Sequence, residues 1–548
     1  MGRKKESATG FVVQGSILAT ASILARIIGL IYRVPVTRII GDYGNGLYGF
    51  AYEVYSMMLL ISSYSLPTAI SKLVAAKTHQ GQHKNAYKIF KAGLFFILVT
   101  GTLAASITFL LADYIAGTIM RDSMIALSLR VLAPTILVVS IMGVIRGYFQ
   151  GLGTMMPTAV SQIIEQIVNA FVSVIGAYYL FAYGSKVAQV LQNEDYAAAY
   201  GAAGSSLGTA GGAVFGLLFL LFMMLIYKRV LKRRMVKDRT LHTESYSEIY
   251  MLLLSTIVPI ILSTAVYNSS VFIDQIIFSN VMNRKGVENY TELFGVFTGK
   301  YRLLVNVPVS IASAMAASTI PSLTAAVAAR DRKLINQKIN ISIRFIMVIA
   351  FPCMVGLAVL GSPILQLLFN DSRELPANLL MAGSVAVVLY SLSTLSNGIL
   401  QGLNRMKVPV RNAFISLVIH VILVYLMLEF TNLNIYAIVI GNVVFALLMC
   451  VLNSWDIRKT TGYRQEIYKS FIVPLISSVA MGIAAFGIYF GMEKLTKSNT
   501  ISFIVAFVIA VVVYAVVLLL MKGFTEEELE SLPKGSMLVG IAKKFHLM

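Results

Sequence analysis

Charge is what this sequence has least of. Only 13% of its 548 residues are Asp, Glu, Lys or Arg, against 57% hydrophobic, and the mean hydropathy is +0.78. Ordinary soluble domains carry about a quarter charged residues. With so little polar surface to offer water, the chain must have lipid as its main solvent. Cysteine is nearly absent. Cys353 and Cys450 both fall in apolar runs, which excludes a disulfide framework or a thiolate metal site and leaves two small buried hydrophobes. Long polar connections are missing as well: none much exceeds about 25 residues, too short for an extramembrane catalytic domain. No loop carries paired carboxylates, a Ser/His/Asp set, a metal-ligand cluster or a phosphate-cradling glycine turn. An enzyme such as a membrane glycosyltransferase is therefore disfavoured, and neither cofactor nor metal is expected.

What is present is a succession of apolar stretches, each long enough to cross a ~30 Å hydrocarbon core as a helix. They cover 11–31, 46–66, 89–111, 127–148, 158–183, 207–227, 250–280, 294–320, 339–361, 379–400, 411–430, 433–453, 470–490 and 501–521. The first follows Arg3, Lys4 and Lys5 as a secretory signal would. It is too long for a signal core and has no small-residue cleavage site before Arg26, so it reads as a retained helix. The expected fold is all-α and integral to the membrane, with about fourteen transmembrane helices.

The net charge of +20 is distributed asymmetrically. Numbering the spans from a cytoplasmic N-terminus puts roughly thirty Lys and Arg inside and about nine outside. The heaviest cluster is Lys228, Arg229, Lys232, Arg233, Arg234, Lys237 and Arg239. The next is Lys72, Lys77, Lys84, Lys88 and Lys91. This pattern explains the basic balance without nucleic acid and predicts a multi-pass protein of the bacterial cytoplasmic membrane with both termini, including the tail 524–548, in the cytoplasm.

A repeat runs through the chain. Gly147-Tyr148-Phe149-Gln150-Gly151-Leu152, then Pro157, is echoed about 250 residues on by Gly398-Ile399-Leu400-Gln401-Gly402-Leu403, then Pro409. Pro67, before an Ala-rich basic turn, is similarly echoed by Pro321. Matching elements are six spans apart, so both copies point the same way, as in parallel repeats related by an axis along the membrane normal. The expected division is an N-lobe over 1–240 with the basic linker, a C-lobe over 241–460, and two additional helices with the tail over 461–548. Gly204, Gly208, Gly212 and Gly216 form a stripe that reads as a close-packing face.

Ionisable residues within spans are the candidates for function, since each costs at least ~2.5–3.5 kcal/mol at the bilayer centre if it faces lipid. They are Arg26, Arg33, Arg38, Glu53, Arg130, Arg146, Glu165, Asp274, Lys300, Arg302 and His420. Together they predict a hydrated cavity between two pseudo-symmetric lobes. Its basic excess suits an anionic cargo, and arginine's planar fork suits phosphate or pyrophosphate. Other readings stay open. Arg33, Arg38 and Arg130 could reach the outer interface, Arg146 and Glu165 could be a structural ion pair, and His420 reads as a packed helix residue. Asp274 could bind a coupling cation or partner Arg302.

The run from Arg146 through Gly151, continued by 156–166 (Met-Pro-Thr-Ala-Val-Ser-Gln-Ile-Ile-Glu-Gln), resembles the signature of the polysaccharide-biosynthesis branch of the MOP exporter superfamily. That branch includes the stage V sporulation protein B group and the MurJ-type lipid II flippases. Arg26-Ile27-Ile28-Gly29 through Arg38-Ile39-Ile40-Gly41, and Leu66-Pro67-Thr68-Ala69-Ile70-Ser71-Lys72, carry the same resemblance. It implies two six-helix lobes that rock about a central cavity, plus two C-terminal helices forming a groove for a lipid tail. It implies transport of an undecaprenyl-pyrophosphate-linked saccharide such as lipid II, with Na+, H+ or the membrane potential as energy source. Arg26, Arg38 and Arg302 match the family's pyrophosphate-contacting arginines. Arg33 matches a further one after a one-residue shift, and Glu53 stands where some relatives carry a basic residue. A MATE-type multidrug/cation antiporter, from the same superfamily, is the alternative.

Overall fold

The structure is a computed structural model that describes residues 2–64, 66–238, 240 and 243–523; the expected tail 524–548 lies outside them. Among the described residues every regular element is helical. Eleven helices among the described residues are long and apolar enough to cross a membrane. The other three expected spans are the two halves of helix α1 (Gly2–Leu59) and the helix α7 (Tyr246–Arg284).

The two halves of α1 are separate spans. Gly41 has φ 69° and ψ −175°, a backbone conformation open to glycine because it lacks a Cβ. Nineteen positions of straight helix would span ~28 Å, yet the Arg33 guanidinium lies 5.9 Å from the Tyr52 ring. The chain therefore folds back at Gly41, and the second span ends in a π-helical turn, Leu60–Tyr64.

The chain forms two compact units, Met1–Gly299 and Lys300–Met548. In the first, α1 is followed by α2 (Leu66–His79), α3 (His83–Leu110), α4 (Ile125–Gly151), α5 (Met156–Leu191), α6 (Asp195–Val236), α7 and the short α8 (Tyr290–Val296). The predicted stripe on α6 is a packing face. A Cβ on Gly204 would collide with the Gly176 backbone of α5, and one on Gly212 would lie 2.5 Å from the Glu165 carbonyl oxygen. The unit extends past the basic linker because α8 packs against the second half of α1. A Cβ on Gly46 would collide with the Thr291 carbonyl, and one on Gly295 with that of Asp42. Close by, Asp122 accepts hydrogen bonds from Tyr43 at 3.1 Å and Thr291 at 2.8 Å.

The second unit holds α9 (Arg302–Ala328), α10 (Arg332–Val359), α11 (Gly361–Phe369), α12 (Glu374–Gly383), α13 (Val385–Gly402), α14 (Lys407–Phe430), α15 (Ile435–Thr461), α16 (Val473–Thr496) and α17 (Asn499–Leu520). The last two helices pair with each other. Met481, Tyr489, Ala506 and Ala510 form an apolar seam with Leu360, Val355 and Val359 at the end of α10.

The sequence repeat is a structural one. In the first unit, Cβ atoms on Gly147 and Gly151 would lie 2.5 Å from the Pro67 carbonyl oxygen and 2.8 Å from that of Ser71, so α4 rides directly on α2. In the second, those on Gly398 and Gly402 would lie 2.9 Å from the Ala316 Cβ and 3.2 Å from the Ile320 carbonyl oxygen, so α13 rides on α9. Small residues four apart permit such backbone approach within lipid.

Candidate functional site

In the first unit the charged candidates gather where α1 lies along α5. Ser22 donates to Gln162 at 3.2 Å and, further along, Asn169 donates to the Tyr32 hydroxyl at 3.2 Å. Arg33, adjacent to Tyr32, is half-buried, and its guanidinium sits 5.7 Å from the Tyr48 ring and 5.9 Å from the Tyr52 ring. Those rings stack at 5.7 Å, and Tyr52 is tilted against Tyr55 at the same spacing. A cation over aromatic faces keeps electrostatic partners while leaving water, so the folding-back at Gly41 houses Arg33 within the protein. Glu53, next to Tyr52, is half-buried too.

Arg146 and Glu165 meet. Nη2 of the arginine donates to Oε2 of the glutamate at 2.8 Å, and Nε donates to Ser161 Oγ at 2.9 Å. Both side chains are largely covered, 14% and 23% exposed. Asp274 on α7 is 1% exposed. Arg26 and Arg38 are exposed on α1, and Arg26 has no ion pair among the described residues. Arg130 pairs with Asp113 at 2.6 Å, and both side chains are exposed.

In the second unit Lys300 ends up buried. It lies on a π-helical turn, Phe297–Tyr301, immediately before Arg302, which is half-buried at the start of α9. Its ammonium donates to Asp371 Oδ2 at 2.5 Å. The same oxygen accepts from Arg373 Nη2 at 2.8 Å, and Oδ1 accepts from Arg373 Nε at 2.9 Å. Asp371 belongs to the four-residue connection 370–373 between α11 and α12. Burial alone would raise its pKa, but the hydrogen bonds from Arg373 and Lys300 prevail and hold its carboxyl well below the usual range. His420 is fully buried, edge-on to Phe445.

Sequence reasoning missed Asp371, Arg373 and two further polar networks. Arg411 and Asn412 donate to Asp456 at 2.6 and 2.9 Å, and Asn453 links Asn412 to Ser396 and Asn397. Arg344, 4% exposed, donates to Glu466, which also accepts from Asn340 at 2.9 Å. Burial would raise the Glu466 pKa, and these two donors together hold it down. The acids in question sit in connections or at helix ends, where composition gives no sign that they are covered. Among the described residues no three His, Cys, Asp or Glu side chains cluster as metal ligands would.

Comparison with known proteins places this arrangement. The pattern of the family described as "Polysaccharide biosynthesis protein" matches residues 12–327, more than half of the chain. The chain belongs to that family. It is a member of the MOP superfamily, and the MatE pattern also matches, over residues 259–426. The lipid II flippase MurJ of Bacillus subtilis (strain 168) is 28% identical over 488 residues, covering 85% of this chain and 86% of the relative. Stage V sporulation protein B of the same organism is 24% identical over 445 residues, 81% and 82% of the two chains. Among solved structures, the lipid II flippase MurJ in an inward closed conformation gives a TM-score of 0.65 at 15% identity, covering 91% of this chain and 97% of that one. An inward-facing multidrug resistance MATE family transporter gives 0.65 at 17% identity, covering 80% and 96%. These likenesses agree with a fourteen-helix membrane transporter fold.

Proposed function

We propose that the chain is a flippase that moves an undecaprenyl-pyrophosphate-linked saccharide, lipid II before other candidates, across the bacterial cytoplasmic membrane by alternating access. The observation that carries this reading is that three of the cations inside apolar spans are kept within the protein. Arg33 is held by tyrosine rings, Arg146 by Glu165, and Lys300 by Asp371. Such charges cost several kcal/mol each in hydrocarbon and persist where they serve a charged cargo. The task is to carry a polar, negatively charged headgroup through ~30 Å of hydrocarbon while its lipid tail stays in the membrane. Arg26, Arg38, Lys300 and Arg302 hold the pyrophosphate in this reading, and Glu53 and Asp274 balance charge or sense a coupling cation. Na+, H+ or the membrane potential supplies the energy; one charge moved through 100 mV is worth ~2.3 kcal/mol. Both termini are cytoplasmic. The 28% identity to a lipid II flippase over 85% of the chain supports the choice of cargo.

Depleting the protein in a host without a redundant flippase should trap lipid II on the inner leaflet. An unchanged leaflet distribution refutes the assignment. Arg302→Ala and Arg26→Ala should each abolish transport and leave membrane insertion intact; full complementation by both would remove those residues from the site.

The MatE match over 259–426 favours a second reading, an antiporter for cationic drugs. Overexpression should then lower drug accumulation in cells, which the flippase reading does not predict.

A further inference from the structure

We propose that the C-terminal end of α6 is a binding site for the headgroups of anionic phospholipids, formed by Lys228, Arg229, Lys232, Arg233 and Lys237. This goes beyond the transport reading and stands whichever cargo is carried.

α6 runs for 42 residues, Asp195–Val236. At 1.5 Å per residue it is ~63 Å long, about twice the hydrocarbon core of a bilayer. One side of its last turns is packed: Leu220, Met223, Met224, Tyr227, Leu231 and Met235 join the apolar core built with α2, α3, α4 and α7. The opposite side changes character at one level. Leu218, Leu221, Phe222, Leu225 and Ile226 are exposed, and the same stripe continues as exposed Lys228, Arg229, Lys232, Arg233 and, at the C-cap, Lys237. Residues three and four apart share a helix face. An acyl chain lying along the apolar part therefore brings its own phosphate to the basic part. From Lys228 to Lys232 the helix rises ~6 Å, the thickness of one headgroup layer.

This charge is unspent. None of the five side chains has an ion pair or hydrogen bond among the described residues. The lysines on the neighbouring helices are engaged instead: Lys77 pairs with Glu244, Lys88 donates to the Glu244 carbonyl at 2.6 Å, and Lys91 lies 5.1 Å from the Tyr87 ring. The acids that follow α6 are committed to those neighbours, since Asp238 accepts from the Lys84 backbone N–H at 2.7 Å and Glu244 holds Lys77. Arg234 turns to the packed side, 5.9 Å from the Tyr227 ring, and Arg239 lies outside the described residues. Charges that only direct insertion ask for no arrangement in the folded helix. Here the packed side of α6 pins five of them in one row that continues a lipid-facing stripe. Basic clusters of this size just beyond a membrane helix attract anionic lipids.

The test is lipid retention by the purified full-length protein, read by native mass spectrometry after equilibration with equal amounts of phosphatidylglycerol and phosphatidylcholine of the same chain length. The wild type should retain phosphatidylglycerol about tenfold over phosphatidylcholine at low salt, and less so as salt is raised. The combined variant Lys228→Gln/Arg229→Gln/Lys232→Gln/Arg233→Gln/Lys237→Gln should bring the preference to within about twofold. A control of equal charge, with exposed Arg330, Arg332, Lys333, Arg405 and Lys407 each changed to Gln, should keep most of it. Equal losses in the two variants reduce the effect to net charge and overturn the site. A wild type without preference overturns it as well and leaves this face to a soluble anionic partner. Should the five-site variant not fold, Lys232→Gln/Arg233→Gln decides: a reduced preference supports the site and an unchanged one overturns it.

Discussion

The two copies of the repeat share a backbone plan and differ in how each treats polar groups at matching places. In the first, the residue before the glycine pair is Arg146, and it answers Ser161 and Glu165 across to α5. In the second, the residue before the pair is Asn397, and it joins an amide chain through Asn453 to Asn412, which ends on the Arg411–Asp456 ion pair. The glycine approach differs as well. Gly147 meets the carbonyl oxygen of Pro67, while Gly398 meets the methyl group of Ala316. Close helix approach is thus common to both copies; the first sets a charge directly before its glycine pair, and the second sets an amide there with its ion pair two amides away. The duplicated scaffold sets the fold, and the polar groups are where the two copies diverge.

The glycine contacts offer the largest test of that comparison. Gly147→Ala places a methyl group 2.5 Å from backbone oxygen, which moves only if a whole helix moves. Gly398→Ala meets the Ala316 Cβ, equally fixed to its helix, but at 2.9 Å, so a smaller shift relieves it. Overpacking costs typically 1–3 kcal/mol, so Gly147→Ala should destabilise by about 3 kcal/mol and Gly398→Ala by about 1 kcal/mol. Thermal unfolding in detergent measures both, and equal losses would mean that the two crossings are equally tight after all.

The charged corner comes next. Glu165→Leu leaves the Arg146 guanidinium largely covered and without its carboxylate, a loss of about 2 kcal/mol once partial exposure is allowed for. The double variant Arg146→Met/Glu165→Leu should recover most of that stability and yet lose transport, if the pair is kept for cargo and not for folding. Asn397→Leu in the other copy should cost only about 1 kcal/mol. A double variant that transports normally would reduce Arg146 and Glu165 to a structural pair.

Much of this plan was legible in the sequence, for a physical reason. A span announces itself because lipid tolerates few polar residues over some twenty positions, and the glycine pairs announce the repeat because nothing larger fits those crossings. Arg146 and Glu165, one helix hairpin apart, were legible as a pair for the same reason. Three things were not. Gly41 turns the chain in a single residue with helix on either side, so the separate spans 11–31 and 46–66 do not reveal where between them the chain folds back. Arg33 matches both an interfacial and an internal arginine until Tyr48 and Tyr52 are seen beside it. Asp371 and Glu466 lie in connections, and periodicity cannot tell a covered carboxylate from a solvated one. The compact units divide at Gly299 and not at the basic linker, because Gly46 and Gly295 lock α8 onto α1, and that follows from three-dimensional packing alone.

The connections that follow each six-helix repeat give the smallest test. After α6, Glu244 pairs with Lys77 and its backbone carbonyl accepts from Lys88 at 2.6 Å. After α15, Glu466 pairs with Arg344 and accepts from Asn340 on α10. Each glutamate ties its connection back to the third span of its own repeat or the helix before it, but Arg344 is buried whereas Lys77 is half-buried. Glu466→Gln should therefore cost about 1 kcal/mol and Glu244→Gln about half of that. The pH dependence separates them further. Because Glu466 has a folded pKa below its unfolded value, its contribution is complete above the unfolded pKa of about 4.3 and is lost as pH falls through the folded one. The melting temperature of the wild type should fall more steeply than that of Glu466→Gln as pH drops from 5 towards 3. Parallel curves for the two proteins would show that Arg344 gains nothing from the ionised carboxylate, and the last two helices would then be held to α10 by their apolar seam and by the hydrogen bond from the Tyr514 hydroxyl to the Val348 carbonyl.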